Sequence, residues 1–145
     1  MKNLYFAYPL NVFNTPLEQR LISCISDNFL DWRIELPNQP HHRQNYRQWK
    51  KEKGDGTLYF LEEVFPKLEG IIALPFSDGM FGTGLVKEIE FFLERKNPVW
   101  KISHKGIILP LTLISESKIL TAEQTMQRIY INGDFKARIR PYLIS

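Results

Sequence analysis

The chain has 145 residues, 43% hydrophobic and 24% charged, which suits one ordinary globular domain that needs neither disulfides nor metals to fold. Cys24 is the only cysteine, so an intramolecular disulfide and a cysteine-based zinc cluster are excluded. The net charge of +3 is modest.

The first apolar run, Leu4–Tyr8, is rich in aromatics and stops at Pro9, as a buried strand followed by a loop does. It is too short for a signal peptide, and nothing later approaches the roughly 18 to 20 apolar residues of a membrane span. A cytoplasmic protein with no membrane partner is expected. Thr15-Pro16-Leu17-Glu18 reads as a helix start, with Thr15 as cap and Pro16 at the first helical position. Leu17, Leu21, Ile22, Ile25 and Phe29 continue that helix at helical spacing. Trp32–Leu36 is a short second strand ended by Pro37.

The segment from Asn38 to Gly56 is polar and apolar only at Tyr46 and Trp49. It reads as a loop carrying one exposed helix, of the kind that serves as a lid or binding loop. Thr57–Leu68 has the spacing of an amphipathic helix, with Gly70 expected as its left-handed cap. Ile71–Leu74 is a fully apolar strand, and Pro75-Phe76-Ser77-Asp78-Gly79 is turn chemistry. A helix over Gly84–Arg95, strands at Val99–Ile102 and Gly106–Ile114, and a helix at Thr121–Tyr130 with Thr121 as cap complete the order. Ile139, Tyr142, Leu143 and Ile144 form an apolar tail.

Strands and helices alternate, and the strands are apolar throughout rather than at every second residue. The expectation is one α/β domain over residues 1–145: a doubly wound, flavodoxin- or Rossmann-like, mostly parallel sheet of about five strands with helices on both faces.

In such sheets ligands bind beyond the carboxyl ends of the strands. Two of these ends stand out: Tyr8-Pro9-Leu10 after the first strand, and the stretch from Pro75 to Gly84 after the third. Gly79, Gly82 and Gly84 permit close backbone approach to a ligand, and the free N–H groups of the following helix can meet an anion. The stretch is neither a Walker loop nor a GxGxxG fingerprint. On the helix itself, Leu85, Ile89 and Phe92 form the buried stripe, and Glu88 falls roughly 60° from its centre. Its carboxylate is either a half-exposed complement to the helix dipole, which favours the ionised form, or a shielded nucleophile aimed at a pocket.

Leu4-Tyr5-Phe6-Ala7-Tyr8-Pro9-Leu10 resembles the opening of the nucleoside 2-deoxyribosyltransferases, although Tyr8 stands where a small residue is usual. Asp78-Gly79-Met80-Phe81-Gly82-Thr83-Gly84-Leu85-Val86-Lys87-Glu88 resembles their acidic, glycine-rich segment ending in the catalytic glutamate. The resemblance implies N-glycosyl transfer or hydrolysis on a nucleoside or nucleotide, with Glu88 as nucleophile. It makes Asp78 a candidate sugar or base contact and Tyr8 and Pro9 the pocket wall. It also implies a homo-oligomer and no cofactor. The alternative is a non-catalytic nucleotide sensor of the same fold.

Other signals offer less chemistry. Arg43, Arg47, Lys50, Lys51 and Lys53 cluster in the polar insert, and Arg128, Lys136, Arg138 and Arg140 near the carboxyl terminus. They read as phosphate contacts or as a solvated helix face and a basic tail. Tyr46 and Trp49 among those cations can stack on bases, cover a site or pack on the sheet. A nucleic-acid partner is not expected. His41 and His42 are sequence neighbours and His104 is distant, so no metal site is expected. No serine-hydrolase elbow is present, and Cys24 reads as a packed side chain.

Overall fold

The computed structural model describes residues 1–54, 58–131 and 134–138. Its elements in chain order are β1 (Lys2–Ala7), α1 (Pro16–Asn28), β2 (Trp32–Glu35), α2 (Pro40–Lys53), β3 (Gly70–Ala73), α3 (Thr83–Glu94), β4 (Val99–Ile102), β5 (Ile108–Pro110), α4 (Ala122–Ile129), β6 (Tyr130–Ile131) and β7 (Asp134–Arg138). The main sheet has the order β2-β1-β3-β4-β5. β1 pairs in parallel with β2 and β3, and β3 with β4, while β5 runs antiparallel to β4. A short antiparallel pair, β6 with β7, lies apart from it. The architecture is α/β and Rossmann-like.

Continuous apolar strands are buried on both faces because side chains alternate across the sheet. Tyr5, Ala7, Ile71 and Ala73 point into one core, with Phe65, Ile89 and Phe92. Leu4, Phe6, Ile72 and Leu74 point into the other, with Leu21 and Ile25 of α1. Burying each large side chain contributes about 1.5–3 kcal/mol, and this two-sided burial fixes the register of β1 and β3.

The helix starts follow their capping chemistry. Thr15 Oγ1 accepts from the Glu18 amide at 3.3 Å, with Pro16 at the first helical position. Thr121 and Gln124 form a reciprocal capping box on α4. The polar insert is a 14-residue helix, α2, closed by Gly54 at φ +81°, where glycine adopts the left-handed conformation without steric penalty.

Three expected elements differ. The span from Gly106 to Ile114 yields only the strand Ile108–Pro110. Ser103–Ile107 closes a tight turn, with Gly106 at φ +86° donating its amide to Ser103 O at 2.9 Å. So short a connection can only return the chain antiparallel. The helix expected over Thr57–Leu68 is instead a π-helical turn at Phe60–Val64 followed by a 3₁₀ turn at Phe65–Lys67. Pro66 lacks an amide donor and its ring would clash with the carbonyl four residues back, so regular α-geometry cannot pass through it. Gly70 is not a left-handed cap. It begins β3, and a Cβ there would lie 3.1 Å from Pro98 O.

The apolar tail of Ile139, Tyr142, Leu143 and Ile144 lies outside the described residues, as does Arg140. No helix among the described residues is long and apolar enough to cross a membrane.

Candidate functional site

In the order β2-β1-β3-β4 the chain leaves β1 toward one side and β3 toward the other, so the switch point lies between these two strands. Just beyond their carboxyl ends is a cavity of about 640 Å³. Tyr5 of β1 and the loop residues Tyr8, Pro9, Leu10 and Phe13 form one wall. Phe76, Gly82, Gly84, Leu85 and Glu88 form another, and α2 closes the side with Arg43, Tyr46, Arg47 and Lys50. Glu88 is the only acidic residue lining the cavity among the described residues.

Glu88 sits in the second turn of α3, beside a stripe in which Leu85, Val86, Ile89 and Phe92 are buried. The dipole contribution fades beyond the first turn, and burial prevails over it. Burial pushes the Glu88 carboxyl from its ordinary value near 4.5 up to about 8, against the smaller opposing pull of its hydrogen-bonding partner, the Tyr5 hydroxyl. The same burial, with the Glu88 charge next in weight, raises the Tyr5 phenol well above its usual range. Burial therefore favours the protonated form of Glu88 at neutral pH, against the ionised form that the dipole favours.

Tyr8 presents its ring to the cavity and turns its hydroxyl elsewhere. The hydroxyl donates to Glu18 Oε2 at 2.5 Å, and Glu18 is only 2% exposed. Asn38 Nδ2 donates to the same oxygen at 2.9 Å, and the Asn14 amide to Oε1 at 3.2 Å. Burial, then the bond to Glu18, holds the Tyr8 phenol far above its normal pKa. Tyr8, Glu18 and Asn38 thus join the loop after β1, the start of α1 and the approach to α2. The local sequence showed Glu18 only as a first-turn acid, because its partners lie 10 and 20 residues away.

The glycine-rich stretch divides in two. Gly82 and Gly84 line the cavity beside Glu88. Gly82 caps α3 so closely that a Cβ would lie 2.9 Å from Thr125 Cγ2. Among the amides of this helix start, that of Thr83 is already taken by Thr125 Oγ1 at 3.1 Å. Asp78 and Gly79 do not line the cavity. Asp78 receives both guanidinium nitrogens of Arg128, at 2.9 and 2.8 Å, and this pairing holds its carboxyl below the usual range. Gly79, at φ +85°, supplies the left-handed residue of the turn. The pairing makes Asp78 an anchor between this turn and α4. The pairing was invisible locally, since Arg128 lies 50 residues further on.

Arg43, Arg47 and Lys50 follow one another at i, i+4 and i+7, so one face of α2 turns three cations toward the cavity. Tyr46 lies on the same side and packs edge-on against Tyr59, and Trp49 packs against Tyr59 as well. Cys24 packs against Gly106, its Sγ 3.4 Å from that carbonyl.

The neighbouring histidines His41 and His42 approach one another. Their ring centroids are 4.0 Å apart at the start of α2, and the end of β2 brings Glu35 between them. Glu35 Oε1 lies 2.5 Å from His42 Nε2 and 3.6 Å from His41 Nε2. His42 is buried and its Nδ1 meets the Tyr59 hydroxyl at 2.9 Å. Burial lowers its pKa against the pull of Glu35.

Comparison of the chain with protein-family models, with curated proteins and with solved structures gives no match.

Proposed function

We propose that the chain catalyses N-glycosyl transfer or hydrolysis on a nucleotide, with Glu88 as the nucleophile. The observation that carries this reading is the composition of one cavity: a single shielded carboxylate, six aromatic rings (Tyr5, Tyr8, Phe13, Tyr46, Phe60 and Phe76) and the three cations of α2. Aromatic walls suit a base, which stacks with about 1–3 kcal/mol per ring contact. Arginines suit a phosphate, which they bind through paired charge-assisted hydrogen bonds. In the reaction, ionised Glu88 forms a bond from its carboxylate oxygen to the anomeric carbon. The C–N bond breaks, and the base leaves with its electron pair and takes up a proton from water. A second base or water then attacks the anomeric carbon of the glycosyl ester, gives up a proton to solvent and releases Glu88 as its carboxylate. The Tyr5 hydroxyl stabilises the ionised form that attacks. No cofactor enters this scheme.

One observation favours the alternative of a nucleotide sensor: a carboxyl raised to about 8 is mostly neutral at pH 7 and a poor nucleophile. Incubation with matched nucleosides and 5′-nucleotides, followed by assay of free base, separates the two. Base release supports the enzyme, whereas binding without release supports the sensor and overturns the catalytic reading.

The cations give a sharper test. Arg43→Ala and Arg47→Ala are each expected to raise KM for a 5′-nucleotide about tenfold or more, since a charge-assisted hydrogen bond contributes about 1.5–3 kcal/mol. KM for the matching nucleoside should stay essentially unchanged, since it lacks the group the arginines bind. Equal losses on both substrates would remove the phosphate from the proposal.

We also propose that the chain self-associates, most simply as a dimer. Ile107, Leu109 and Leu113, in and around the edge strand β5, are large apolar side chains left exposed, an arrangement that association would cover. Light scattering at micromolar concentration should return twice the chain mass of 17.1 kDa. A monomer mass would leave a self-contained site.

A further inference from the structure

We propose that Glu35, His41 and His42 form a binding site for a divalent transition-metal ion of the zinc type, where the end of β2 meets the start of α2. One ligand atom from each residue can be chosen so that all three lie within 4.8 Å of one another. A tetrahedral ion at about 2.0–2.2 Å from each ligand holds its ligand atoms roughly 3.3–3.6 Å apart, close to the 3.6 Å between His41 Nε2 and Glu35 Oε1, so the exposed His41 ring needs only a small adjustment to close the site. The donor set is two imidazole nitrogens and one carboxylate oxygen, which suits zinc, cobalt, nickel or copper and not magnesium or calcium.

The surroundings resemble those of a metal-binding histidine. His42 Nδ1 faces the Tyr59 hydroxyl at 2.9 Å, so the hydroxyl oxygen can accept the Nδ1 proton and leave the Nε2 lone pair for the ion. A hydrogen-bonding partner of this kind fixes the tautomer and ring orientation of a ligating histidine. The ion would replace the hydrogen bond that now joins His42 Nε2 to Glu35 Oε1. His41 has 58% of its side chain exposed. The three residues also line a separate cavity of about 490 Å³, which leaves room for water to complete the coordination. His42 borders both this cavity and the larger one. An ion here would clamp β2 to the helix that carries Arg43, Arg47 and Lys50. The site does not depend on the glycosyl-transfer reading, and its test uses no activity assay.

The test is equilibrium dialysis of the untagged protein against zinc, with cobalt(II) absorption as a second readout and magnesium as the control. The expected result is one zinc per chain, visible cobalt bands from a bound ion and no magnesium retained. His41→Ala removes an exposed ligand and should leave the fold intact, as judged by an unchanged circular dichroism spectrum. It should weaken zinc by more than about 100-fold, the upper end for losing a mere partner of a ligand. Tyr59→Phe removes such a partner and should weaken zinc by roughly 10–100-fold. Retention of zinc by His41→Ala at wild-type affinity, or no zinc on the folded wild type, would overturn the proposal.

Discussion

Glu88→Gln is expected to abolish base release, lowering kcat by at least about 10³-fold, as removal of a nucleophile does. The amide keeps the shape of the side chain and cannot form the glycosyl ester. Single-turnover assay of free base from a 5′-nucleotide measures the loss, and unchanged turnover by a folded variant would eliminate the covalent step. The same carboxyl predicts the pH dependence of the wild type. The attacking form is the ionised one, so kcat/KM should rise with pH and level off above about 8, the value to which burial raises Glu88.

The stability of the two proteins should diverge over the same range. The folded chain holds the Glu88 proton up to about pH 8, whereas the unfolded chain releases it near 4.5. The stabilisation that this proton gives the wild type is complete below about 4.5 and is lost as pH rises through 8. Glutamine never ionises. The melting temperature of Glu88→Gln should therefore match the wild type at low pH, gain on it between 4.5 and 8, and keep a constant lead above 8. Each kcal/mol of that lead corresponds to roughly 2–4 °C for a chain of this size. Parallel melting curves across the whole range would place Glu88 in a solvated position.

Tyr8→Phe is expected to cost stability far more than activity. It removes the hydroxyl that donates to Glu18 and leaves a buried carboxylate short of one donor. The penalty for a buried polar group so deprived is about 1–3 kcal/mol, with charged groups at the upper end. That corresponds to a drop in melting temperature of roughly 2–12 °C. Because the hydroxyl is engaged with Glu18 while the ring lines the cavity, kcat/KM should fall by less than about tenfold, short of the effect of losing a general acid or base. A large fall in kcat at unchanged melting temperature would instead make the hydroxyl part of the chemistry.

Local chemistry was enough for much of the fold. Apolar runs at Leu4–Tyr8 and Ile71–Leu74 announce strands buried on both faces, because a half-exposed strand would alternate. Thr15-Pro16 and Thr121 announce helix starts, because their hydroxyls satisfy amides within three residues. The stripe of Leu85, Ile89 and Phe92 placed Glu88 on the flank of a buried face, and Gly82 and Gly84 near a strand end.

Other features depend on groups distant in sequence. Asp78 looked free for a ligand until folding brought Arg128 to it. Glu18 is a first-turn acid in the local sequence, and only folding encloses it between Tyr8 and Asn38. The cations of α2 read equally as a solvated face, and only the packing of that helix on Tyr59 and Phe60 brings Arg43, Arg47 and Lys50 to the cavity of Glu88. The protonation of Glu88 likewise depends on distant groups. The helix dipole can be read along one helix, whereas desolvation depends on everything packed around the carboxyl, and here desolvation is the larger effect.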